Sequence, residues 1–429
     1  MRKALALGLM VGVLAFGSAW EASAAPPGRY IVVLESSVSS AEDVAANHAA
    51  RFGASVKRVY ETALKGYAAR MTAEQAARVS RSPRVAWVEV DGLLHATAQT
   101  IPTGVNRIEG DLSTQKAGDG IGSVTGPAVA VIDTGIDLDH PDLKVIASVN
   151  CSGGSPFRTS CGSGGDDDNG HGTHVAGTAA ARDNSLGVVG MAPGGPLVAV
   201  KVLNKRGSGY TSWIVAGIDW VATNAPTYNI KVANMSLGGS GSDDNNCGNS
   251  NNDAMHKAIC NLVNNRGVTM VAAAGNSATD VAGFVPAAYN EVLTVTAVAD
   301  FDGKPGGLGA PTCRSDVDDT AADFSNWAVT TSDQAHTIAA PGVCINSTWL
   351  SGGYNTISGT SMASPHMAGT VALCLSSGTC SGTPSQIISK VRSDAAAADS
   401  SNTYGFKEDP NSQPISGRYY GYLGYAGGY

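Results

Sequence analysis

Cysteine is missing from the first 150 residues of this 429-residue chain, and all eight cysteines follow. Charged residues make up only 15% of the sequence and aromatic residues 6%, whereas glycine occurs 53 times. The low charge excludes a charge-rich disordered chain or a coiled coil, and the high glycine content is typical of a globular protein with many loops. The length predicts one large domain and one smaller domain.

A hydrophobic run long enough to cross a membrane is also missing. Near the start, Arg2 and Lys3 precede an apolar run over residues 4–16, and Ala22-Ser23-Ala24 follows as a cleavage sequence. A membrane-spanning helix needs about 20 apolar residues, so this run is too short for an anchor. The order of basic, apolar and small residues is typical of a secretory signal peptide over residues 1–24. The sequence therefore predicts a secreted protein that does not act at a membrane.

Positive charge is scarce in the main body of the chain. After residue 97 there are 28 acidic residues against 17 basic ones. An acidic, exported protein is poorly suited to nucleic acid or anionic lipid, so we expect neither as a partner. We expect a monomer.

The cysteines include no C-x-x-C pair, which disfavours a zinc site. An even number of cysteines in an exported chain predicts disulfides, although on the order of 100 pairings are possible for eight cysteines. Sequence neighbours suggest Cys151–Cys161, Cys247–Cys260, Cys313–Cys344 and Cys374–Cys380.

Residues 29–91 differ from the rest, with nine basic residues against seven acidic ones and no cysteine. Apolar alternation predicts strands over residues 30–34, 67–71 and 85–90, and helical periodicity predicts helices over residues 41–52 and 72–79. This segment is predicted to be a small α+β module.

Apolar runs and helical segments alternate in the main body. The predicted strands cover residues 128–132, 197–203, 232–235, 269–274 and 293–298, and the predicted helices cover residues 174–181, 212–222 and 253–264. Continuously apolar strands separated by helices predict a parallel sheet covered on both faces. In such a sheet the active site lies at the carboxyl ends of the strands.

Three segments carry residue types suited to nucleophilic catalysis. Asp133 ends a strand in D-T-G, His171 begins a helix in H-G-T-H-V-A-G-T, and Ser361 lies at a turn into a helix in G-T-S-M-A-S-P-H. Taken singly, each also fits an ordinary turn or helix-capping role. Together they supply a hydroxyl nucleophile, an imidazole base and a carboxylate that orients the base.

In this order and with these motifs, the chain resembles the subtilisin-like serine proteases from residue 98 to about residue 380. The segments at residues 207–214, 234–239 and 272–276 agree with the resemblance. It implies an α/β, three-layer subtilisin-like fold, with a mostly parallel central sheet flanked by helices, preceded by a small α+β, ferredoxin-like propeptide module. It also implies a broad serine endopeptidase for protein and peptide substrates, with Asp133, His171 and Ser361 as its catalytic triad.

The resemblance assigns further residues to the site. Asn276 matches the oxyanion-hole asparagine of the family, and Phe284 is expected near the base of the first specificity pocket. The implied substrate-binding residues are Ser208, Gly209, Ser236, Leu237, Gly238, Ala273, Ala274 and Gly275. None of the pocket positions is acidic, so we expect cleavage after apolar or aromatic residues.

The resemblance also implies a structural Ca²⁺ site. Its ligands would be Gln99, Asp142 and Asn184 through side chains, and Arg182, Leu186 and Val188 through carbonyls. A second, weak calcium site of the family is expected to be absent, because its aspartate position is Thr337. Residues 166–168 are three consecutive aspartates, which we interpret as a solvated acidic turn rather than a further cation site.

The resemblance divides the chain into a signal peptide at residues 1–24, an inhibitory propeptide at residues 25–97 and a catalytic domain at residues 98–429. The propeptide would bind its own protease as an intramolecular inhibitor, with self-cleavage after Thr97.

Two other functions stay open: a processing enzyme for specific precursors, and an inactive fold that only binds. Residues 301–322 match no known chemistry, and the glycine- and tyrosine-rich tail at residues 416–429 could be a last strand or a flexible end.

Overall fold

The computed structural model describes residues 28–91, 99–121, 123–153, 161–401 and 403–429. The predicted signal peptide and the predicted cleavage point after Thr97 lie outside the described residues. The chain divides between residues 96 and 97 into two compact units. None of the described helices is long and apolar enough to cross a membrane.

The small unit is a four-stranded antiparallel sheet with two helices. Its elements are β1 (Gly28–Leu34), α1 (Ala41–Phe52), β2 (Ser55–Tyr60), β3 (Gly66–Met71), α2 (Ala73–Val79) and β4 (Val85–Val90). The strand order is β2-β3-β1-β4, and every pairing is antiparallel. The side chains of Ser40 and Thr72 cap the two helices, and a core that includes Val32, Tyr67 and Met71 lies between the helices and the sheet.

The large unit alternates strands and helices. Its elements are α3 (Thr103–Arg107), β5 (Ala128–Asp133), β6 (Val145–Asn150), α4 (His171–Ala180), β7 (Leu197–Lys201), α5 (Thr211–Tyr228), β8 (Ile230–Met235), β9 (Gly239–Ser240), α6 (Ala254–Arg266), β10 (Thr269–Ala273), β11 (Phe284–Val285), β12 (Val292–Ala299), β13 (Thr320–Ala321), α7 (Thr331–Gln334), β14 (Thr337–Pro341), β15 (Ile345–Trp349), β16 (Gly353–Ile357), α8 (Thr360–Ser376) and α9 (Pro384–Ala398).

Eight strands of the described chain form the central sheet of the large unit. Seven are parallel, in the order β6-β7-β5-β8-β10-β12-β14, and the short β13 pairs antiparallel with β12. Successive residues of β5 point to opposite faces: Val129 and Val131 pack in the core that includes α4, α8 and α9, and Ala130 and Ile132 pack in the core that includes α5 and α6. The predicted three-layer α/β fold with a mostly parallel sheet is confirmed.

The predicted disulfide pairing is also confirmed. The four disulfides of the structure are Cys151–Cys161, Cys247–Cys260, Cys313–Cys344 and Cys374–Cys380. No cysteine of the described chain is free.

The tail at residues 416–429 packs into the protein through isolated bridges and hydrogen bonds. Leu423 forms a bridge with Ala339 of β14, and the amide of Thr114 donates to the carbonyl of Tyr429. Leu423 and Tyr429 are buried. Of the two alternatives for the tail, the structure therefore supports a last strand-like segment rather than a flexible end.

Candidate active site

The candidate catalytic residues lie at the ends of sheet strands and the beginnings of two helices. Asp133 is the last residue of β5, and His171 is the first residue of α4. Asn276 follows the end of β10, and Ser361 is the second residue of α8. Because β5, β8 and β10 are parallel neighbours, their carboxyl ends lie at one edge of the sheet.

Asp133 and His171 are in hydrogen-bond contact. The distance from His171 Nδ1 to Asp133 Oδ1 is 2.7 Å, and Asp133 is fully buried. The backbone amide of Thr134 also donates to Asp133 Oδ1, at 2.7 Å. When Nδ1 carries the proton that this carboxylate accepts, Nε2 of the neutral ring is left as the acceptor.

The pKa of His171 reflects two opposing effects. Burial lowers the pKa of His171, but the charge and hydrogen bond of Asp133, together with the charge of Asp167, raise it by more, so the pKa lies above the ordinary histidine value. The neutral form that can accept a proton therefore becomes dominant only at a higher pH than for a free histidine.

Three side chains hold the first turn of α4, where His171 lies. The amide of His171 donates to Asn169 Oδ1 at 3.2 Å, that of Gly172 to Thr134 Oγ1 at 2.9 Å, and that of Thr173 to Asp167 Oδ2 at 3.0 Å. These contacts satisfy N–H groups that have no partner within the helix. Because Thr134 follows Asp133 directly, the helix start that carries the imidazole is bonded to the strand end that carries the carboxylate.

The interpretation of residues 166–168 as a solvated turn is wrong for the middle aspartate. Asp167 is buried, and its carboxylate accepts hydrogen bonds from the amides of Gly170 and Thr173 and from the Thr173 hydroxyl. Asp168 pairs with the buried Lys201 at 2.6 Å. This segment therefore positions the histidine helix. The sequence signal was a carboxylate shortly before a helix start, which is typical of capping.

Ser361 makes its side-chain hydrogen bond to the backbone rather than to the histidine. Its hydroxyl donates to the carbonyl of Ser236 at 3.3 Å. The hydrogen bonds of the described residues include none between Ser361 and His171, so their direct contact stays a prediction. Such contacts are often long in enzymes without substrate and tighten when substrate binds.

A buried chain of polar groups, which sequence reasoning missed, connects β8 to the start of α8. The Ser364 hydroxyl donates to Asn234 Oδ1 at 2.6 Å, Asn234 Nδ2 donates to Ser236 Oγ at 2.9 Å, and that hydroxyl donates to the carbonyl of Ser361 at 2.8 Å. Asn234 of β8 and Ser236 directly after β8 lie two residues apart, and Ser361 and Ser364 lie three apart on a helix, so each pair shares a face. That spacing was the available signal.

Asn276 is held with its amide nitrogen free to donate. Its Oδ1 accepts from the amide of Thr360 at 2.9 Å and from the Thr360 hydroxyl at 2.8 Å. A Cβ atom added to Gly359 would lie 3.4 Å from Asn276 Nδ2 and 3.6 Å from the amide nitrogen of Ser361. The two donors thus border one small space, as the predicted oxyanion role would require.

The predicted substrate-binding residues divide into exposed and buried positions. Ser208, Gly209 and Gly238 are exposed and Leu237 is half-buried, whereas Ser236, Ala273, Ala274 and Gly275 are buried. The Phe284 ring lies against both glycines of the predicted pocket: a Cβ atom on Gly238 would be 2.5 Å from it, and one on Gly275 would be 2.9 Å from it. An aromatic surface therefore lies where the pocket is predicted.

Known proteins share both units of this chain. The sequence profile of the Subtilase family matches residues 124–419, and that of the Peptidase inhibitor I9 family matches residues 29–97. This chain belongs to the subtilase family. It is therefore a subtilisin-like serine endopeptidase that carries an I9 inhibitor domain of its own.

Individual relatives agree with this assignment. The subtilase is 37% identical over 302 residues to Subtilisin E of Bacillus subtilis (strain 168), an alignment that covers 70% of this chain and 67% of the relative. It is 36% identical over 337 residues to the Thermostable alkaline protease of Halalkalibacterium halodurans, covering 79% of each. It also resembles the crystal structure of a cold adapted subtilisin-like serine proteinase, with TM-score 0.54 and 29% identity over 76% of this chain and 97% of that one.

The residues predicted to bind calcium in this subtilase lie together. Gln99 Nε2 donates to the carbonyls of Arg182 at 2.7 Å and Val188 at 3.1 Å, and Asn184 Nδ2 donates to Asp142 Oδ1 at 2.8 Å. The amide of Leu186 donates to Asn184 Oδ1. The set offers one carboxylate, two amide oxygens and backbone carbonyls, which are the donors that Ca²⁺ prefers. In this structure the side-chain nitrogens of Gln99 and Asn184 face the other predicted ligands. Both side-chain amides would therefore have to rotate so that their oxygens face a bound ion.

The carboxylate of this set is buried. Burial raises the pKa of Asp142, against the hydrogen bonds from Asn184, Val188 and Tyr354, which lower it. A divalent cation beside this carboxylate would offset the cost of burying its charge. The residues therefore fit calcium.

Proposed function

We propose that this subtilase is a secreted endopeptidase of broad specificity that cleaves extended segments of proteins through an acyl-enzyme on Ser361. The observation that carries the proposal is the 2.7 Å contact between His171 Nδ1 and the buried Asp133 carboxylate, which leaves Nε2 as the base. A serine hydroxyl is a poor nucleophile until such a base removes its proton.

In the proposed mechanism His171 takes the proton of Ser361 as the hydroxyl attacks the substrate carbonyl, and then gives it to the leaving amine. Asp133 stabilises the imidazolium that forms between these steps. Asn276 Nδ2 and the Ser361 amide would bind the oxyanion, and the loss of one such donor costs roughly 2.7–4 kcal/mol of transition-state stabilisation in enzymes of this kind. Water would then release the acyl group by the same steps.

Substrate is proposed to lie as an extended strand between Ser208–Gly209 and Ser236–Gly238. Backbone pairing of this kind reads little sequence, which supports broad specificity. The first specificity pocket, between the two glycines that contact Phe284, has no acidic wall residue. It should accept apolar and aromatic side chains before the cut.

A pair of glycine substitutions tests this pocket. A methyl group at Gly238 would lie 2.5 Å from the Phe284 ring and 2.6 Å from the Val285 carbonyl, so this part of the wall would have to shift, whereas an added Cβ at Gly239 meets nothing within 4 Å. Because one methyl group changes pocket discrimination by about 1–3 kcal/mol, Gly238→Ala should lower the ratio of kcat/KM for phenylalanine over alanine before the cut by roughly tenfold or more. Gly239→Ala should leave the ratio unchanged. Cleavage of a peptide library after lysine or arginine by the parent enzyme would contradict the pocket assignment.

We further propose that the chain is made as a precursor. Residues 1–24 would direct export, and the inhibitor domain would block the enzyme as an intramolecular partner until cleavage after Thr97. The I9 match over residues 29–97 supports this order. The separate compact unit before residue 97 supports it as well. The acidic catalytic body supports a monomer that acts on proteins rather than on nucleic acid or membranes.

Calcium is proposed as a structural ion at Asp142 and its neighbours. When only the folded state binds calcium, calcium at about 100 times its dissociation constant raises the free energy of unfolding by roughly 2.7 kcal/mol. In Asp142→Asn, the gain in unfolding free energy between EDTA and calcium should fall by about that amount. The measurement is thermal unfolding followed by tryptophan fluorescence in a Ser361→Ala background, which prevents self-digestion. The exposed Asp139→Asn serves as the control, and an undiminished gain in Asp142→Asn would sink the assignment.

A further inference from the structure

Residues 300–319, between β12 and β13, contain an acidic cluster outside the catalytic site. Asp300 follows the end of β12, and Asp302 and Asp318 lie in the segment that continues from it. One ligand oxygen from each of these carboxylates lies within 4.8 Å of the others. Asp300 and Asp318 are buried, and Asp302 is exposed.

Acidic clusters are common on proteins, but the buried carboxylate of Asp300 sets this one apart. Asp300 is only 1% exposed, and its Oδ2 has no hydrogen-bond partner within the described chain. Its other oxygen accepts from the amide of Gly303 at 3.0 Å. A buried carboxylate oxygen without a partner is costly unless a proton or a cation neutralises it.

The nearby basic group does not bond to this oxygen. Arg107 is buried, and its guanidinium donates to Asp319 Oδ1 at 2.8 Å and to the carbonyl of Gly405 at 2.6 Å. Arg107 is thus bonded to a fourth aspartate, and Asp300, Asp302 and Asp318 remain without an ion-pair partner among the described residues. Burial raises the pKa of Asp300 to about 7, although the Arg107 charge lowers it.

We propose that Asp300, Asp302 and Asp318 bind a calcium ion, at a site independent of Asp142. All three side chains offer carboxylate oxygens, which suit a hard divalent cation rather than zinc or copper. Ca²⁺ accepts six to eight oxygen ligands in flexible geometry, and the exposed position of Asp302 lets water complete the shell. Mg²⁺ demands near-octahedral geometry, to which a set of two buried carboxylates and one exposed carboxylate is less suited.

The proposed ion would hold together residues 300–319, the insertion between β12 and β13. Asp318 Oδ1 accepts from the amide of Phe301 at 2.7 Å and its Oδ2 from that of Gly309 at 2.7 Å, so the cluster joins the two ends of the insertion. The disulfide Cys313–Cys344 connects the same insertion to the residue before β15. Calcium at the cluster would fix the base of the insertion, and the disulfide fixes its far end.

Calcium binding to the full chain tests the proposal. The Ser361→Ala protein, freed of metal with EDTA and then dialysed, is titrated with CaCl₂ in a calorimeter, with MgCl₂ as a separate arm. We expect the loss of one calcium site in Asp300→Asn and at least tenfold weaker binding at that site in Asp302→Asn. Asp323→Asn, an exposed aspartate just after the insertion, should bind calcium as the parent does. Asp142→Asn should keep the Asp300 site, which separates the two assignments.

A second measurement distinguishes calcium binding from a protonated, purely structural aspartate. Asparagine has nearly the shape of neutral aspartate, so in EDTA the unfolding temperature of Asp300→Asn should equal or exceed that of the parent. When calcium is added, the unfolding temperature of Asp300→Asn should rise by less than that of the parent. The same number of calcium sites in the parent, Asp300→Asn and Asp302→Asn would overturn the proposal. So would tighter binding of Mg²⁺ than of Ca²⁺, or equal destabilisation of Asp300→Asn with and without calcium. If Asp300→Asn does not fold, the exposed Asp302→Asn decides the question.

Discussion

Replacement of Ser361 by alanine is expected to lower kcat for a peptide substrate about 10⁶-fold, the size of the corresponding effect in subtilisin. The substitution removes the hydroxyl oxygen that is proposed to form the acyl-enzyme, and would leave the proposed oxyanion donors to provide weak residual catalysis. Its hydroxyl contributes one hydrogen bond of 3.3 Å to the Ser236 carbonyl, so the fold should be retained. The carbonyl of Ser361, which accepts from Ser236, is unchanged by the substitution.

The measurement combines kinetics with active-site labelling. A fluorophosphonate probe should label one serine in the mature parent enzyme, identified by peptide mapping as Ser361, and none in Ser361→Ala. Ser385→Ala, an exposed serine of α9, should be labelled as the parent is. Labelling of the parent at another serine, or none in a folded and processed parent, would contradict the catalytic role and favour an inactive binding fold.

Several strands buried on both faces could be predicted from the sequence, whereas the edge strands β6 and β2 could not. The apolar runs of β5, β7 and β12 indicate strands without ambiguity, because every residue of these strands is buried. At the sheet edge, β6 has the sequence VIASVN and is mostly half-exposed. In the small unit, β2 has the sequence SVKRVY and no buried residue. An edge strand need not be apolar on both faces, so its pattern is weak.

In the candidate site, short local motifs could likewise be predicted from the sequence, whereas contacts between distant segments could not. The short motifs around Asp133, His171 and Ser361 could be recognised because the turn, helix start and functional residue are adjacent in sequence. The polar chain from Ser364 through Asn234 could not, because its partners lie 130 residues apart in sequence. Hydrogen bonds between distant segments follow from the packing of α8 on the sheet, which no local pattern describes.

Replacement of Asp133 by asparagine is expected to lower kcat about 10⁴-fold at neutral pH, as in other serine proteases with this triad. The asparagine can present its amide N–H to His171 Nδ1 in place of the carboxylate. The imidazole then carries its proton on Nε2, where it cannot accept the proton of Ser361. The folded protein should remain, because at most one hydrogen bond is lost: the Thr134 amide donates to the same Asp133 Oδ1 that contacts His171 Nδ1.

The pH dependence of Asp133→Asn separates this cause from general damage. In the parent, kcat/KM should decrease at pH values below the pKa of His171, because the protonated base cannot act. This pKa lies above the ordinary histidine value. The Asp133 charge and hydrogen bond raise this pKa, and burial lowers it. Without the carboxylate, burial is the main remaining effect, so the acid limb of the residual activity should move to lower pH. Profiles from pH ~5 to ~9 for the parent, Asp133→Asn and the exposed control Asp219→Asn measure the change. An acid limb that stays in place, or a loss of activity no greater than that of Asp219→Asn, would show that Asp133 does not control the imidazole.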